Sequence, residues 1–191
     1  LRVDERLPDA GLHDAQLGKA VSPQGFRERM DQSTHALRDH LVRLLDWEDA
    51  HVGFSKAIEG IPPDKRGGRA AGFEHSPWQL LEHLRLAHDD LLDFFVNEAY
   101  QHTMTRPHDY WPKDPAPPNE QAWGDSIAGY LRSLVDLKRL AREHPDLMAT
   151  VPTGKGHQTY LRGILLAADH VAYHVGQLVA VRKALGIWPA A

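Results

Sequence analysis

Residues 156–188, GHQTYLRGILLAADHVAYHVGQLVAVRKALGIW, place the strongest constraint on the fold. Apolar side chains recur there at helical spacing: Leu161, Ile164, Leu165, Ala168, Val171, Ala172, Val175, Leu178 and Val179. That period predicts one long amphipathic helix with a wide buried stripe. Gly186 just past the stripe and Pro189 beyond it are helix-stop residues. A stripe of this width has to be covered by other elements of the chain.

The other periodic stretches are helical too. Asp31 or Ser33 is placed to cap a first helix, with Leu37, Leu41, Leu44 and Leu45 on its buried face. A short helix is expected within residues 48–60, with Val52, Phe54, Ala57 and Ile58 apolar, and Ile61 apolar just beyond it. Pro62 and Pro63 end it. Residues 64–75, DKRGGRAAGFEH, read as a basic, glycine-rich surface loop. No strand precedes them and no P-loop pattern is present.

Ser76 followed by Pro77 is a helix start. The stripe after it is Leu80, Leu81, Leu84, Ala87, Leu91, Leu92 and Phe95. His83 lies about a quarter turn off that stripe and His88 nearer its middle. Prolines forbid a helix through residues 101–118, where Tyr110 and Trp111 are placed to cover one end of a core. Residues 119–143 carry Trp123, Ile127, Tyr130, Leu131, Leu134, Leu137 and Ala141 at helical spacing. Residues 1–22 are a polar extension, with a short helix expected over residues 14–21. No alternating strand pattern and no repeat is found. The expectation is an all-α four-helix bundle, one domain over residues 23–191, with a short extra helix.

Composition excludes several kinds of function. The chain has 191 residues and no cysteine, which removes disulfides, thiolate ligands and cysteine nucleophiles. A net charge of −4 argues against a nucleic-acid grip resting on bulk positive charge. There is no GxSxG elbow of a serine hydrolase. No apolar run reads as a membrane span and no signal peptide is seen, so the expected location is cytoplasmic.

Thirteen histidines are the unusual feature of the composition. His170 and His174 stand four apart, which puts two imidazoles one turn apart on one helix face. Such a pair can grip a metal ion, but this many histidines give roughly one such pair by chance. The residues alone leave open whether the pair and His83 are ligands or core-edge polar groups.

The combination resembles a known family. SPWQLLEHLRLAHDDLLDFF (residues 76–95) is similar to the second helix of DinB-like proteins, the damage-inducible-B and YfiT-type superfamily. YWP at 110–112 is similar to the loop that follows it in one branch, and ADHVAYHVGQL resembles that branch's last helix. The resemblance covers residue 30 to the end. It implies an up-down-down-up four-helix bundle, often a homodimer. It also implies a divalent metal held by one histidine on the second helix and two on the last, which fall on His83, His170 and His174. His88 stands where glutamine is more usual in that branch, which leaves open whether it joins the site.

Three neutral imidazoles form an open site of the catalytic type. Nitrogen ligands suit Zn²⁺, Ni²⁺ or Fe²⁺. An uncompensated divalent charge favours an anionic partner such as a thiolate, carboxylate or hydroxide. Gln177, one turn beyond His174, is a candidate to orient a ligand or a bound water; Asp90 and Asp169 are weaker candidates for the surrounding shell, and Tyr110 and Trp111 for the pocket wall. Two readings follow. One is a metal-dependent enzyme that activates a low-molecular-weight thiol, or water, against a small-molecule substrate, as a thiol transferase or hydrolase. The other is a bundle that binds a metal, a small molecule or a partner protein without turnover, in a stress-related role.

Overall fold

The computed structural model describes residues 22–189, so the helix expected over residues 14–21 lies outside the described residues. The described residues divide into two compact units, with the boundary between His35 and Ala36. The described residues form α1 (Pro23–Leu44), α2 (Phe54–Ile58), α3 (Pro77–Val96), α4 (Glu120–Glu143) and α5 (Tyr160–Ala184). Among them there is no strand, only an isolated antiparallel bridge between Thr150 and Thr159. The all-α expectation holds, and α3, α4 and α5 pack on one another as a helical bundle.

Helix starts follow side-chain chemistry. Ser76 and Gln79 form a capping box: Gln79 N–H donates to Ser76 Oγ, and Ser76 N–H donates back to Gln79 Oε1, each at 3.2 Å. Asn119 caps α4 through the Ala122 N–H at 2.8 Å, and Thr159 caps α5 through the Arg162 N–H at 3.2 Å. The expected start of the first helix is wrong by about two and a half to three turns. α1 begins at Pro23, and Ser22 Oγ accepts the Gly25 N–H at 3.1 Å. Ser22–Pro23 is therefore the same start signal as Ser76–Pro77. The stripe was misleading there because residues 24–36 carry few apolar side chains.

One core joins Leu41 of α1 and Leu45 just after it with α2, α3, α4 and α5. Burial differs from the expected stripes at their edges. Leu37 and Leu165 are exposed, whereas Ala167 and Val181 of α5 are buried. Among the described residues, α5 is the one helix long and apolar enough to cross a bilayer, which the sequence reading did not anticipate. Its inner face is nonetheless core, packed on α2, α3 and α4.

Three arginines tie the bundle to its connections. Arg38 donates to the carbonyls of Ala141 (2.9 Å) and His144 (2.8 Å) at the end of α4, where the helix dipole favours a cation. Arg182 is buried and donates to Ala57 O at 2.6 Å and Ile187 O at 3.1 Å, which pins α2 and the C-terminal turn. Arg66 corrects the expectation of a plain surface loop over residues 64–75. It is 8% exposed, its guanidinium lies 4.6 Å from the Trp123 ring centroid, and it pairs with Glu120 at 2.5 Å. A planar cation can bury its stem on an indole while keeping a carboxylate partner.

α3 packs tightly against α5 at Gly163. A Cβ built there would lie 2.2 Å from Phe95 Cζ, and Phe95 is itself buried. Gly176, on the same helix, has nothing within 4 Å of such a Cβ. Gly163→Ala is therefore expected to destabilise the fold by about 1–3 kcal/mol through overpacking. Gly176→Ala is expected to be neutral or to stabilise by about 0.5–1 kcal/mol. Urea unfolding of both variants checks the contrast, and equal midpoints would show that α5 moves freely against α3.

Candidate metal centre

The helices bring together the three histidines singled out in the sequence. His83 comes from α3 and His170 and His174 from successive turns of α5. His83 Nε2 lies 3.0 Å from His170 Nε2 and 3.1 Å from His174 Nε2. His83 and His174 are buried and His170 is half-buried. Among the described residues this is the group able to hold a metal ion.

Hydrogen bonds on the far side of two rings decide what the convergent nitrogens offer. His83 Nδ1 lies 3.0 Å from the backbone carbonyl of Tyr110. A carbonyl can only accept, so the proton is on Nδ1 and Nε2 carries a lone pair. His174 Nδ1 lies 2.7 Å from Gln177 Oε1, and Gln177 Nε2 donates to Tyr173 Oη at 3.2 Å. The same logic leaves His174 Nε2 unprotonated. Two lone pairs 3.1 Å apart with no proton between them repel, and a cation between them removes that repulsion. The three ligand nitrogens lie within 4.8 Å of one another, close enough for one ion with metal–nitrogen bonds of about 2.0–2.1 Å to be held by all of them. The three residues therefore fit a divalent ion.

Electrostatics keeps the rings neutral. Burial, then the neighbouring His174, pushes His83 down to about 3, against the opposing pull of the Tyr110 carbonyl. Burial, then His174 and His88, pushes His170 down to about 4. Burial also lowers His174, opposed by its bond to Gln177. Ligation requires the unprotonated ring, so no proton has to be removed near pH 7.

The surrounding shell is more extensive than the sequence suggested. Trp111 stacks on His83 with ring centroids 3.8 Å apart and planes 1° from parallel. His75 stacks on the other face of the same indole at 3.6 Å. Gln79 donates to Pro112 O at 2.8 Å, and Ser76 Oγ donates to Pro115 O, so the cap of α3 also holds this loop. The Tyr110 hydroxyl donates to Asp90 Oδ2 at 2.5 Å. Sequence reasoning missed the Tyr110 carbonyl and His75. A backbone acceptor has no sequence signature, and for His75 the only signal was its place beside the Ser76 cap.

Other candidates fall outside the cluster. Asp169 is exposed and lines a groove of about 460 Å³ with Trp47, Phe54, Leu165, Val171 and Ala172. His88 is 1% exposed and packs against the Tyr130 ring at 4.8 Å, and neither of its nitrogens has a hydrogen-bond partner.

The DinB superfamily family model matches residues 46–178, a span that contains all three histidines and Gln177. The chain belongs to the DinB superfamily. No curated protein and no solved structure matches it. Membership agrees with the resemblance seen in the α3 and α5 motifs.

The buried rings make stability depend on pH. Burial alone pushes His88 down to about 4, below the value near 6.5 of an unfolded histidine. Below pH 6.5 the unfolded chain takes up protons that the folded rings refuse. Stability from this source is full above 6.5 and is lost as pH falls towards 4. The urea midpoint of chelated protein is thus expected to drop between pH 7 and pH 4. His88→Leu should lower that slope by about one proton, or ~1.4 kcal/mol per pH unit. An unchanged slope would mean that His88 titrates normally in the folded protein.

Proposed function

We propose that this DinB-superfamily protein is a divalent-metal-dependent enzyme that activates a low-molecular-weight thiol, and otherwise water, towards a small electrophilic substrate. The observation that carries the reading is the convergence of His83 Nε2 with His170 Nε2 at 3.0 Å and with His174 Nε2 at 3.1 Å, with the N–H groups of His83 and His174 turned away. His83, His170 and His174 would hold the ion. The chemistry supplied by such an ion, Zn²⁺, Ni²⁺ or Fe²⁺, is positive charge that favours the deprotonated form of a thiol or of water near neutral pH.

The chain's own groups prepare for this. Tyr110 O and Gln177 Oε1 orient two ligand rings without adding a negative charge. The indole of Trp111 covers one face of His83 and keeps water from it. With no cysteine in the chain, a thiol must come from a cofactor or cosubstrate. No carboxylate meets the three nitrogens, so the reading assigns no general base.

A second reading, metal or ligand binding without turnover, is favoured by one observation. The groove of about 460 Å³ beside α5 is lined by none of the three histidines, so a small molecule seated there would bind away from the site. The two readings divide on a direct measurement. Metal content and affinity are expected to fall more than tenfold in His170→Ala and His174→Ala, and undiminished binding would reject the site. A panel of small thiols with electrophilic acceptors is expected to react with metal-loaded protein and not with chelated or His174→Ala protein. No difference among those three forms would leave the binding reading.

The homodimer implied by the resemblance belongs to the same reading, and the exposed apolar side chains Leu165, Leu166 and Tyr173 on α5 are compatible with a pairing face. Sedimentation equilibrium is expected to give twice the chain mass, and a single-chain mass across a wide concentration range would refute it.

A further inference from the structure

The segment that holds His83 has little structure of its own. Between α3 and α4 the described backbone forms only one short helical turn, His108–Tyr110. Yet its Tyr110 carbonyl sets the His83 tautomer and its Trp111 ring lies flat on the imidazole. The cap of α3 holds one side of this segment, through the bonds that Gln79 and Ser76 donate to Pro112 O and Pro115 O.

Asp90 holds the other side, at Tyr100 and Tyr110. It lies seven residues after His83, two turns along the same face of α3. Its side chain is 16% exposed. One carboxylate oxygen accepts the Tyr110 hydroxyl at 2.5 Å, and the other accepts the Tyr100 hydroxyl at 2.8 Å. Tyr100 Oη also lies 3.0 Å from His102 Nδ1. One carboxylate thus clamps two points of the segment, ten residues apart, onto the helix that carries His83. Charge-assisted bonds of this kind are shorter and stronger than neutral ones.

We propose that Asp90 is a positioning residue of the three-histidine site: by holding the phenol of Tyr110 it fixes the carbonyl that keeps the His83 proton on Nδ1, and with it the indole on the His83 ring. The inference rests on the metal-binding reading of that site. Asp90 touches none of the three imidazoles. It acts through one tyrosine, whose side chain reaches the carboxylate while its backbone reaches the ligand.

The test uses Co²⁺ binding to the full chain, followed by absorbance, together with long-range ¹H–¹⁵N correlation spectra that report the His83 tautomer in chelated protein. The variants are Asp90→Ala, which removes both acceptors, and Tyr110→Phe, which removes one hydroxyl only. Asp89→Asn is the control. Asp89 is the next residue of α3 but bonds Arg85 and Ser133. It can destabilise the fold without touching the segment.

Asp90→Ala and Tyr110→Phe are expected to weaken Co²⁺ by about tenfold to a hundredfold, as loss of a group behind a ligand typically does. Both should shift His83 from the pure Nδ1–H form to a mixture, and Asp90→Glu should recover part of the loss. Asp89→Asn is expected to bind within about twofold of the parent. Parental affinity in Asp90→Ala and Tyr110→Phe would overturn the inference and leave the metal reading standing. Weaker binding with an unchanged His83 tautomer would also overturn it, since the loss would then be general destabilisation. A parent protein that binds no Co²⁺ would bring down the metal reading and this inference together.

Discussion

The close packing of α3 against α5 is the contact on which the rest of the structure depends. Phe95, near the end of α3, meets Gly163, near the start of α5; His83, earlier in α3, meets His170 and His174, later in α5. The two helices therefore run antiparallel, and two contacts set their spacing. At one end a missing Cβ admits an aromatic ring. At the other, imidazoles reach across from both sides. Gly163, His170 and His174 follow one another by seven and four residues, so a single face of α5 serves both purposes. A side chain at position 163 would push the helices apart at one end and spread nitrogens that need to converge at the other.

Most of the framework was legible because it obeys local rules. Ser76–Pro77, Asn119 and the glycine after α5 marked helix ends, and each of the three long later helices was expected within a few residues of where it lies. The histidines were legible as spacing on α5 and as a flank position on α3. What escaped notice is of two kinds. Periodicity fixes which direction a helix faces but not how far round the burial extends, so Leu165 and Ala172 were assigned to the core while Ala167 and Val181 were not. The segment that completes the site has no period at all. Its decisive group is a carbonyl, which every residue has, and only the Tyr110–Trp111 pair hinted that the segment mattered.

The acceptors behind the ligand rings explain the charge of the centre. His83 and His174 donate to an amide-type oxygen rather than to a carboxylate. A carboxylate there would raise ring basicity and cancel part of a bound cation's charge. Neutral acceptors fix the tautomers and leave the positive charge uncancelled, which suits the capture of an anion. The carboxylate of Asp90 enters only one residue removed, with its oxygens occupied by two phenols. The arrangement combines the rigidity of an ionised anchor with an uncharged inner layer.

His88 shows what the same core does with an imidazole that has no task at the centre. Its ring is as buried as those of the ligands, and it lies close enough to His170 to depress that ring further. It has neither a carbonyl behind it nor convergent nitrogens in front, and its nearest aromatic neighbour, Tyr130, also carries a buried hydroxyl without a partner. An orphaned polar group of this kind costs about 1–3 kcal/mol. Burial alone therefore does not make a ligand in this bundle. His83, His88 and His174 are all buried. Of these three, only His83 and His174 have an acceptor that holds the proton on one nitrogen and frees the other, and only they, with the half-buried His170, bring nitrogens together across two helices.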